Sequence, residues 1–446
     1  MTEKSNTTEN RGLDLVKSTR HMQEDFLYYL WKLQYFEKKG LTTCYGEPLT
    51  VLQPGTRNEH AGPDFLNGKI TINDVTWHGH VEMHINASDW YAHRHQKDKA
   101  YENVILHVVW NHDKDIQQLD GTIMPTLVLK DKVKPGLYRQ YQELLHNHDT
   151  ILCAKHLPQV PDLVKASMLD KALFQRLTNQ HNLVYRLLEE NKGDWEETAY
   201  QLLANNFGFK VNSAALLALA KDLPLQVITK QSDQLLSIES LLLGQAGLLQ
   251  QEEVDDYLAA LRKEHQYLAH KYQLPVDKMH SNQWKFFRLR PANFPTIRIA
   301  QLAQLLHQHP NIFDLLVNTP TEILRIKLAV LQSAYWQDHY QFVKASKTKI
   351  PGLGKASIEN ILINTVVPLL VAYGKAKDEQ DYIDRAVAIL QHLPAEYNAI
   401  TRHWEEVGIR VKSAFDSQAL IELFNNFCSQ KQCLACNIGT TILQKE

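Results

Sequence analysis

The sequence predicts an α+β protein, with an N-terminal mixed α/β unit followed by a large all-helical region. Two observations carry this. Short β-type runs separated by turn residues are confined to the first third of the chain, from about Leu49 to Leu129. Beyond Pro158 the apolar residues fall almost everywhere at three- and four-residue spacing. No repeat of fixed period accompanies that spacing, which argues against a solenoid. At roughly 150 residues per domain, 446 residues suggest about two or three domains. The expected divisions are a disordered tail over residues 1–20, an α/β domain over 21–157, a helical domain over 158–343 and a helical C-terminal region over 344–446.

The elements follow in order. Residues 1–20 offer few apolar side chains to bury. Phe26, Tyr29, Leu30, Leu33 and Phe36 then share a helical face, with Gly40 as the stop. Strands are expected at 49–53, 64–72, 75–85 and 104–110, with a further turn-bounded run near 124–129. Between the third and fourth, Ser88 or Asp89 caps a helix expected over 89–103. The resulting order is α–β–β–β–α–β. Helices are then expected at 163–190, 194–206, 214–223, 238–244, 254–272, 297–307 and 321–336, and in a last block from 358 to about 427. An aromatic-rich connector spans 275–295.

Composition excludes several classes. Fifty acidic side chains against 48 basic ones leave a formal charge of −2, so the chain is not basic all over, though local basic patches remain open. No apolar run approaches the roughly 20 residues of a membrane helix, so no membrane association is expected. The polar start lacks the apolar stretch of a secretory signal. Five cysteines are too few for a disulfide framework in this length, and a cytoplasmic protein is expected. Histidine is the outlier: of 21, eight fall between His60 and His112.

The chemistry is expected where those histidines meet carboxylates. Strand alternation places His78, His80, Glu82 and His84 on one face, and Val81, Met83 and Ile85 on the other. Gly62-Pro63 stiffens the entry to the preceding strand and fixes Asp64. Asp64 and Glu82 on adjacent strands suit a hard cation, Mg²⁺ or Mn²⁺, which activates a water against a phosphodiester. His84 would orient that water or take its proton, with His78 and His80 as auxiliaries. Glu24 or Glu59 offers a third carboxylate. Against this, a strand face of His and Glu is often only solvated. Asp89, His93, His95 and Asp98 fit a solvated helix face better than ligands, and His107 fits a hydrogen-bonded core histidine.

Pro63-Asp64, then Glu82-Met83-His84, then a helix and a strand resemble the PD-(D/E)XK phosphodiesterase superfamily, which is restriction-endonuclease-like in fold. His84 stands where lysine is usual in that family. Trp77-His78-Gly79-His80 is similar to a string of the very-short-patch mismatch-repair endonucleases within it. The resemblance implies a metal-dependent nuclease, with Asp64 and Glu82 as metal ligands and His84 in the lysine's place.

Two basic strings point toward a polyanion. Gly352-Leu353-Gly354, flanked by Lys344, Lys347, Lys349 and Lys355, resembles a helix-hairpin-helix turn whose backbone N–H groups bind phosphate. An ordinary capped glycine turn explains it equally well. Residues 284–298 hold Arg288, Arg290 and Arg298 among aromatics and no acid. That pattern suits base stacking and phosphate pairing, or packing of the aromatics with the arginines left in solvent.

Cys428, Cys433 and Cys436 close the chain at a spacing that suits zinc or an iron–sulfur cluster, with a fourth ligand missing. Cys44 and Cys153 lie upstream, and His392 and His403 are nearer in sequence. Some nucleases of the superfamily named above hold a cluster through one cysteine before the core and three after it. The resemblance therefore implies Cys44 as the fourth ligand. Reduced free cysteines are the plain alternative.

Finally, Gln23-Glu24-Asp25-Phe26, Gly62-Pro63-Asp64-Phe65, His107-Val108-Val109-Trp110, Asn364-Thr365-Val366-Val367-Pro368 and Cys433-Leu434-Ala435-Cys436 together resemble an uncharacterised bacterial family, domain of unknown function 2851. The expected function is a metal-dependent nuclease acting on nucleic acid. Two alternatives stay open: a non-catalytic nucleic-acid-binding or scaffolding protein with a degenerate nuclease core, and a metallohydrolase of a small phosphorylated substrate.

Overall fold

The computed structural model describes residues 23–58, 60–118, 120–275 and 279–444; the tail expected over 1–20, and Glu59, lie outside them. Two compact units result. One holds the chain up to Met168 together with the segment from Asn426, and the other is Leu169–Asn425. The expected divisions at 157 and 343 therefore move. The last residues return to the first unit because Leu443 sits in its core and Cys433 and Leu434 pack against it. A single apolar core reaches from Leu173 to Ala419, so nothing divides at 343.

In the first unit, helix α1 (Glu24–Lys32) buries Phe26, Leu27, Leu30 and Trp31 completely. Glu24 and Asp25 open it and Lys32 closes it, charges that suit the helix dipole. It ends sooner than the spacing through Phe36 implies. Gln34 turns left-handed at φ 52°. Its N–H donates to the Trp31 carbonyl, and Tyr35 N–H donates to that of Leu30, the paired bonds that close a helix C-terminus. Phe36 then stacks on Trp31 from the loop, so an apolar residue at helical spacing is buried without belonging to the helix.

Six strands form one sheet: β1 (Leu49–Gln53), β2 (Thr56–Arg57), β3 (Phe65–Ile72), β4 (Val75–Asn86), β5 (Val104–Asn111) and β6 (Thr126–Val128). Their order is β1-β3-β4-β5-β6, with β2 also on β3. The β1–β3 and β3–β4 pairs are antiparallel, and β4–β5 and β5–β6 are parallel. Ile72 faces Val75 across the β3–β4 turn. Asn73 and Asp74 between them take φ of 46° and 62°, the left-handed pair that a two-residue hairpin turn requires and these residue types tolerate.

The parallel step from β4 to β5 needs a crossover. The helix expected over 89–103 is replaced there by α2 (Asp89–Ala92) and two 3₁₀ turns, His95–Lys97 and Lys99–Tyr101. Only Trp90 is buried in these three turns, so no apolar stripe holds a longer helix together. Arg94 at φ 63° interrupts it. Helix α3 (Leu137–Leu145) and α1 cover one sheet face through Val81, Met83, Leu106 and Val108. The opposite face carries Val104 and Val109 in a smaller cluster with Trp90, Ile116 and Met124. Glu82, His84 and His107 belong to this second face, and all three are buried.

The helical unit follows the apolar spacing, with helices that include Trp195–Phe207, Ser213–Asp222, Leu235–Gln245, Asp256–Tyr272 and Pro295–Gln308. Side chains of Asp194, Asp255, Asn398 and Ser413 cap the first turns of their helices. The helix expected over 321–336 splits into Thr321–Leu328 and Ala334–Asp338. In the break, the Gln332 amide donates to the carbonyls of Trp336, Ile350 and Pro351. The stretch Lys355–Lys377 is helical for 23 residues and apolar enough to cross a membrane, but 67% of its apolar window is buried inside the chain, as in a core helix. Asn360, Asn364 and Thr365 interrupt its apolar run, which hid its length in the sequence.

Candidate metal centre

Asp64 is held at the mouth of β3 by its neighbours. Gly62 adopts φ 108°, and the Asn58 amide donates to the Pro63 carbonyl at 3.0 Å. From β2, Arg57 donates to Asp64 Oδ1 at 2.8 Å and to its carbonyl at 3.1 Å, while its guanidinium lies 3.6 Å above the Tyr28 ring. Asp64 Oδ2 accepts the Met83 N–H at 3.0 Å. In return, Asp64 N–H donates to Glu82 Oε2 at 3.0 Å. The two carboxylates that the sequence singles out are thus tied together across adjacent strands.

Glu82 turns its other oxygen toward imidazoles. Oε1 lies 3.2 Å from His95 Nε2 and 3.6 Å from His84 Nε2. His84 Nε2 lies 3.1 Å from His93 Nδ1, and its Nδ1 is 2.8 Å from His107 Nε2. One nitrogen from each of His84, His93 and His95 falls within 4.8 Å of the others. His95 is held by its ring, stacked on Tyr101 with centroids 3.8 Å apart and edge-on to Trp90. Among the described residues this is the group of histidine, cysteine and acid ligands spaced closely enough for one ion.

The electrostatics agree with the geometry. Burial, helped by the Asp64 charge, pushes the Glu82 carboxyl up to about 9. Burial also raises Asp64 despite Arg57, and raises Glu24 at the rim, where Tyr28 donates to Glu24 Oε2. The imidazoles shift the other way: burial lowers His84 to about 2, lowers His107 to about 3 and lowers His95. Carboxylates that resist charge and imidazoles that stay neutral are both relieved by a cation, since metal ligands must be deprotonated.

A fit to a metal also gives the His84–His107 bond a role, though it leaves the buried His107 Nδ1 unpaired among the described residues. A ligating histidine normally donates its second N–H to a partner that fixes its tautomer. When His84 Nδ1–H donates to His107 Nε2, the His84 Nε2 lone pair is freed toward His93, His95 and Glu82.

The structure separates what the sequence grouped. His84 joins Glu82 in the centre, but His78 is exposed and His80 is half-buried, its Nδ1 accepting the Asn67 N–H at 3.3 Å. At about 3.3 Å per residue, His78 lies about 13 Å from Glu82 along β4 and His80 about 7 Å. His93 and His95 take their place. Their place beside Glu82 and His84 was hidden by the expectation of a regular helix; the signal available was the His-x-His spacing beside an apolar-poor run. Tyr28 and Arg57 were missed because no local pattern links α1 and β2 to Asp64.

The chain belongs to the DUF2851 family. The family model, described as a protein of unknown function, matches residues 24–399. No curated protein and no solved structure matches the chain. The DUF2851 match spans the whole centre but assigns it no activity, so the chemistry must be argued from the residues.

The expected nucleic-acid contacts lie in the helical unit. Arg298 is buried at 8% exposure, donating to Gln301 and Asn293 above the Phe209 ring, so it is a core residue. Arg288 and Arg290 are exposed. Lys349 pairs with Asp338 at 2.7 Å, and Lys355 is exposed near Glu359. The turn at Gly352 and Gly354 follows a two-stranded hairpin, His339–Gln341 with Lys344–Ala345, where a helix-hairpin-helix would have its first helix. A Cβ on Gly352 would meet the Val330 carbonyl oxygen at 2.5 Å, so close backbone packing explains that glycine. Gly354 caps the helix beginning at Lys355. Of the cysteines, Cys44 is exposed and its thiol feels Asp115, whereas Cys153 feels Cys436 and Cys433. The segment of Cys153, not Cys44, packs against the C-terminal one, where Leu152 and His156 line a cavity with Ile442 and Leu443, while Cys44 is tied beside β6 through its N–H bond to Thr126.

Proposed function

We propose that the chain is a metal-dependent hydrolase of phosphodiesters, with nucleic acid as substrate class. His84, His93, His95 and Glu82 hold its divalent ion, and Asp64 orients Glu82. The observation that carries this is the convergence of three imidazole nitrogens within 4.8 Å of one another on a face shared with Glu82 Oε1. Imidazole donors suit Zn²⁺ or Mn²⁺ better than Mg²⁺. A divalent ion there supplies Lewis-acid polarisation of a phosphoryl oxygen and a water of lowered pKa. Around it, Arg57 presents a partly exposed guanidinium that can pair with a phosphate oxygen. Glu24, whose carboxyl burial raises while the Tyr28 hydroxyl donates to it, is a candidate proton acceptor. The phosphodiester assignment is supported by Asp64 at the head of β3 opposite Glu82 on β4, followed by the crossover to parallel β5. Exposed Arg288 and Arg290 beside Phe287, itself 81% exposed, support a nucleic-acid substrate.

A second reading, a hydrolase of small phosphorylated substrates, is favoured by the imidazole-rich ligand set. One experiment separates the two. Full-length chain is incubated with single- and double-stranded DNA and RNA, and separately with bis(p-nitrophenyl) phosphate, each with Mn²⁺, Zn²⁺ or Mg²⁺. Cleavage of the polymers that is lost in Asp64→Ala and Glu82→Ala is the expected result. Turnover of the small diester alone selects the second reading. Cleavage surviving both substitutions overturns the site, and binding of nucleic acid without any cleavage selects a non-catalytic binding protein.

A further inference from the structure

The four cysteines of the first unit other than Cys44 lie on two segments that pack against each other, apart from the histidine centre. Cys428 ends a helix, Lys431 turns left-handed at φ 54°, and Gln432 N–H bonds back to Phe427. Cys433 then opens a 3₁₀ turn, and Cys436 precedes the helix Asn437–Gln444. This loop presents three sulfurs within nine residues, beyond the span that the family model matches. The fourth sulfur comes from the turn at Cys153, whose carbonyl accepts the N–H groups of His156 and Leu157.

Packing brings the two segments together. Ile442 and Leu443 line the same cavity as Leu152, His156 and Val160. Asn437 N–H lies 3.3 Å from Met168 Sδ, and its amide donates to Ser167 at 3.2 Å. At Gly439 a Cβ would stand 2.2 Å from the Cys433 carbonyl oxygen, so the last helix passes against the cysteine turn at a distance that only glycine permits. Cys153 and Cys436 are each 8% exposed, and Cys428 and Cys433 are half-buried. None is in a disulfide.

The thiols act on one another. Burial raises Cys428 first, and the charges of Cys153, Cys436 and Cys433 raise it further; Cys153 is raised by burial and then by Cys436 and Cys433. Four covered sulfurs in mutual repulsion need positive charge between them to ionise. A single zinc, with Zn–S near 2.3 Å, would draw its sulfurs to about 3.8 Å from one another. Among the described residues no three of these sulfurs lie together within 4.8 Å, since only the histidine trio does. A cubane cluster, whose irons sit at separate corners, spreads its thiolates wider.

We propose that Cys153, Cys428, Cys433 and Cys436 bind a [4Fe–4S] cluster that fastens the C-terminal segment to the sheet unit. Each thiol gives its proton to solvent, and each sulfur forms one bond to an iron corner. The test is made on full-length protein, reconstituted without oxygen using ferric and ferrous iron in equal amounts, sulfide and thiol, so that two irons of each oxidation state and four sulfides make one [4Fe–4S]²⁺ cubane with no further oxidant. The wild type is expected to turn brown and to carry iron and acid-labile sulfide in equal amounts, at one cubane per chain. Cys44→Ser is expected to keep that content in full, and Cys153→Ser to lose the cubane. A colourless wild type, or one holding zinc and no sulfide, overturns the proposal; this readout needs no variant to fold. Full cluster content in Cys153→Ser, or its loss in Cys44→Ser, overturns the ligand assignment. Limited proteolysis gives an independent reading, since cluster removal is expected to expose the segment after Asn426 to cleavage.

Discussion

Each unit buries a glutamate, and the two are treated in opposite ways. In the helical unit, Glu239 is 1% exposed, with one oxygen accepting the Ser333 hydroxyl at 2.8 Å and the other the Tyr257 hydroxyl at 2.6 Å. In the sheet unit, Glu82 is 5% exposed, with Oε2 bonded to the Asp64 N–H and Oε1 turned toward two imidazoles. Burial raises both carboxyls, Glu239 to about 7 and Glu82 to about 9. The difference lies in the neighbours. Glu239 is surrounded by hydroxyl donors and completes a network within the fold, whereas Glu82 shares its pocket with a second carboxylate, Asp64, and with imidazoles that burial holds neutral. Burial completed by hydroxyl donors marks structure; several ionisable groups buried against one another mark a site.

The sharpest way to break that comparison is Glu82→Gln. Loss of the oxygen that faces the imidazoles is expected to lower metal-dependent turnover by about 10²–10³-fold. The same change should leave the metal-free protein at least as stable as wild type, because glutamine brings no charge to bury. Turnover in saturating Mn²⁺ and urea midpoints in chelator measure the two effects. A destabilised variant would mean that Glu82 is part of the scaffold rather than of a site.

Glu239→Gln gives the converse. The folded value near 7 lies above the unfolded value near 4.5. Protonated Glu239 therefore supports the fold fully below about pH 4.5, and this support fades as pH rises toward 7. By pH 8 the wild type has lost about 3 kcal/mol that the variant keeps. The measurement is the difference in urea midpoint at pH 5 and pH 8. The variant should show the flatter profile, with unchanged turnover at the histidine centre.

The same contrast explains what the sequence revealed. The β3–β4 hairpin, the facing of Glu82 and His84, and the helices from Trp195 onward follow from periodicity, because local pattern and burial agree there. The histidine centre is only half legible, since His93 and His95 sit on turns whose geometry is set by Arg94, Trp90 and Tyr101 rather than by spacing. Arg298 misled for the opposite reason. A cation in a basic string suggests solvent, but Asn293, Gln301 and Ser357 receive it inside the core. The packing of the segment after Asn426 against residues 152–168 is tertiary and has no local signature.

A finer probe is His107. His107→Phe removes the acceptor for His84 Nδ1–H, so divalent-ion affinity at the centre is expected to fall about 10–100-fold, with His107→Gln restoring part of it. Competition with a metal-binding dye reads this directly. Equal losses in both variants would show that His107 acts by packing against Trp90 rather than by fixing a tautomer.

The smallest expected effect tests whether His95 is placed by its ring. Tyr101 stacks on it at 3.8 Å with planes 25° apart, while Trp90 meets its edge. Tyr101→Leu keeps apolar bulk but loses the flat partner, at a cost of about 0.5–1 kcal/mol in metal affinity, roughly two- to fivefold. Tyr101→Phe keeps the ring and should bind the ion as the wild type does. If leucine and phenylalanine behave alike, Trp90 alone orients His95, and stacking adds nothing. A fall with leucine alone would show that this aromatic contact keeps His95 Nε2 facing Glu82, as the hydroxyls of Tyr257 and Ser333 keep Glu239 in its network.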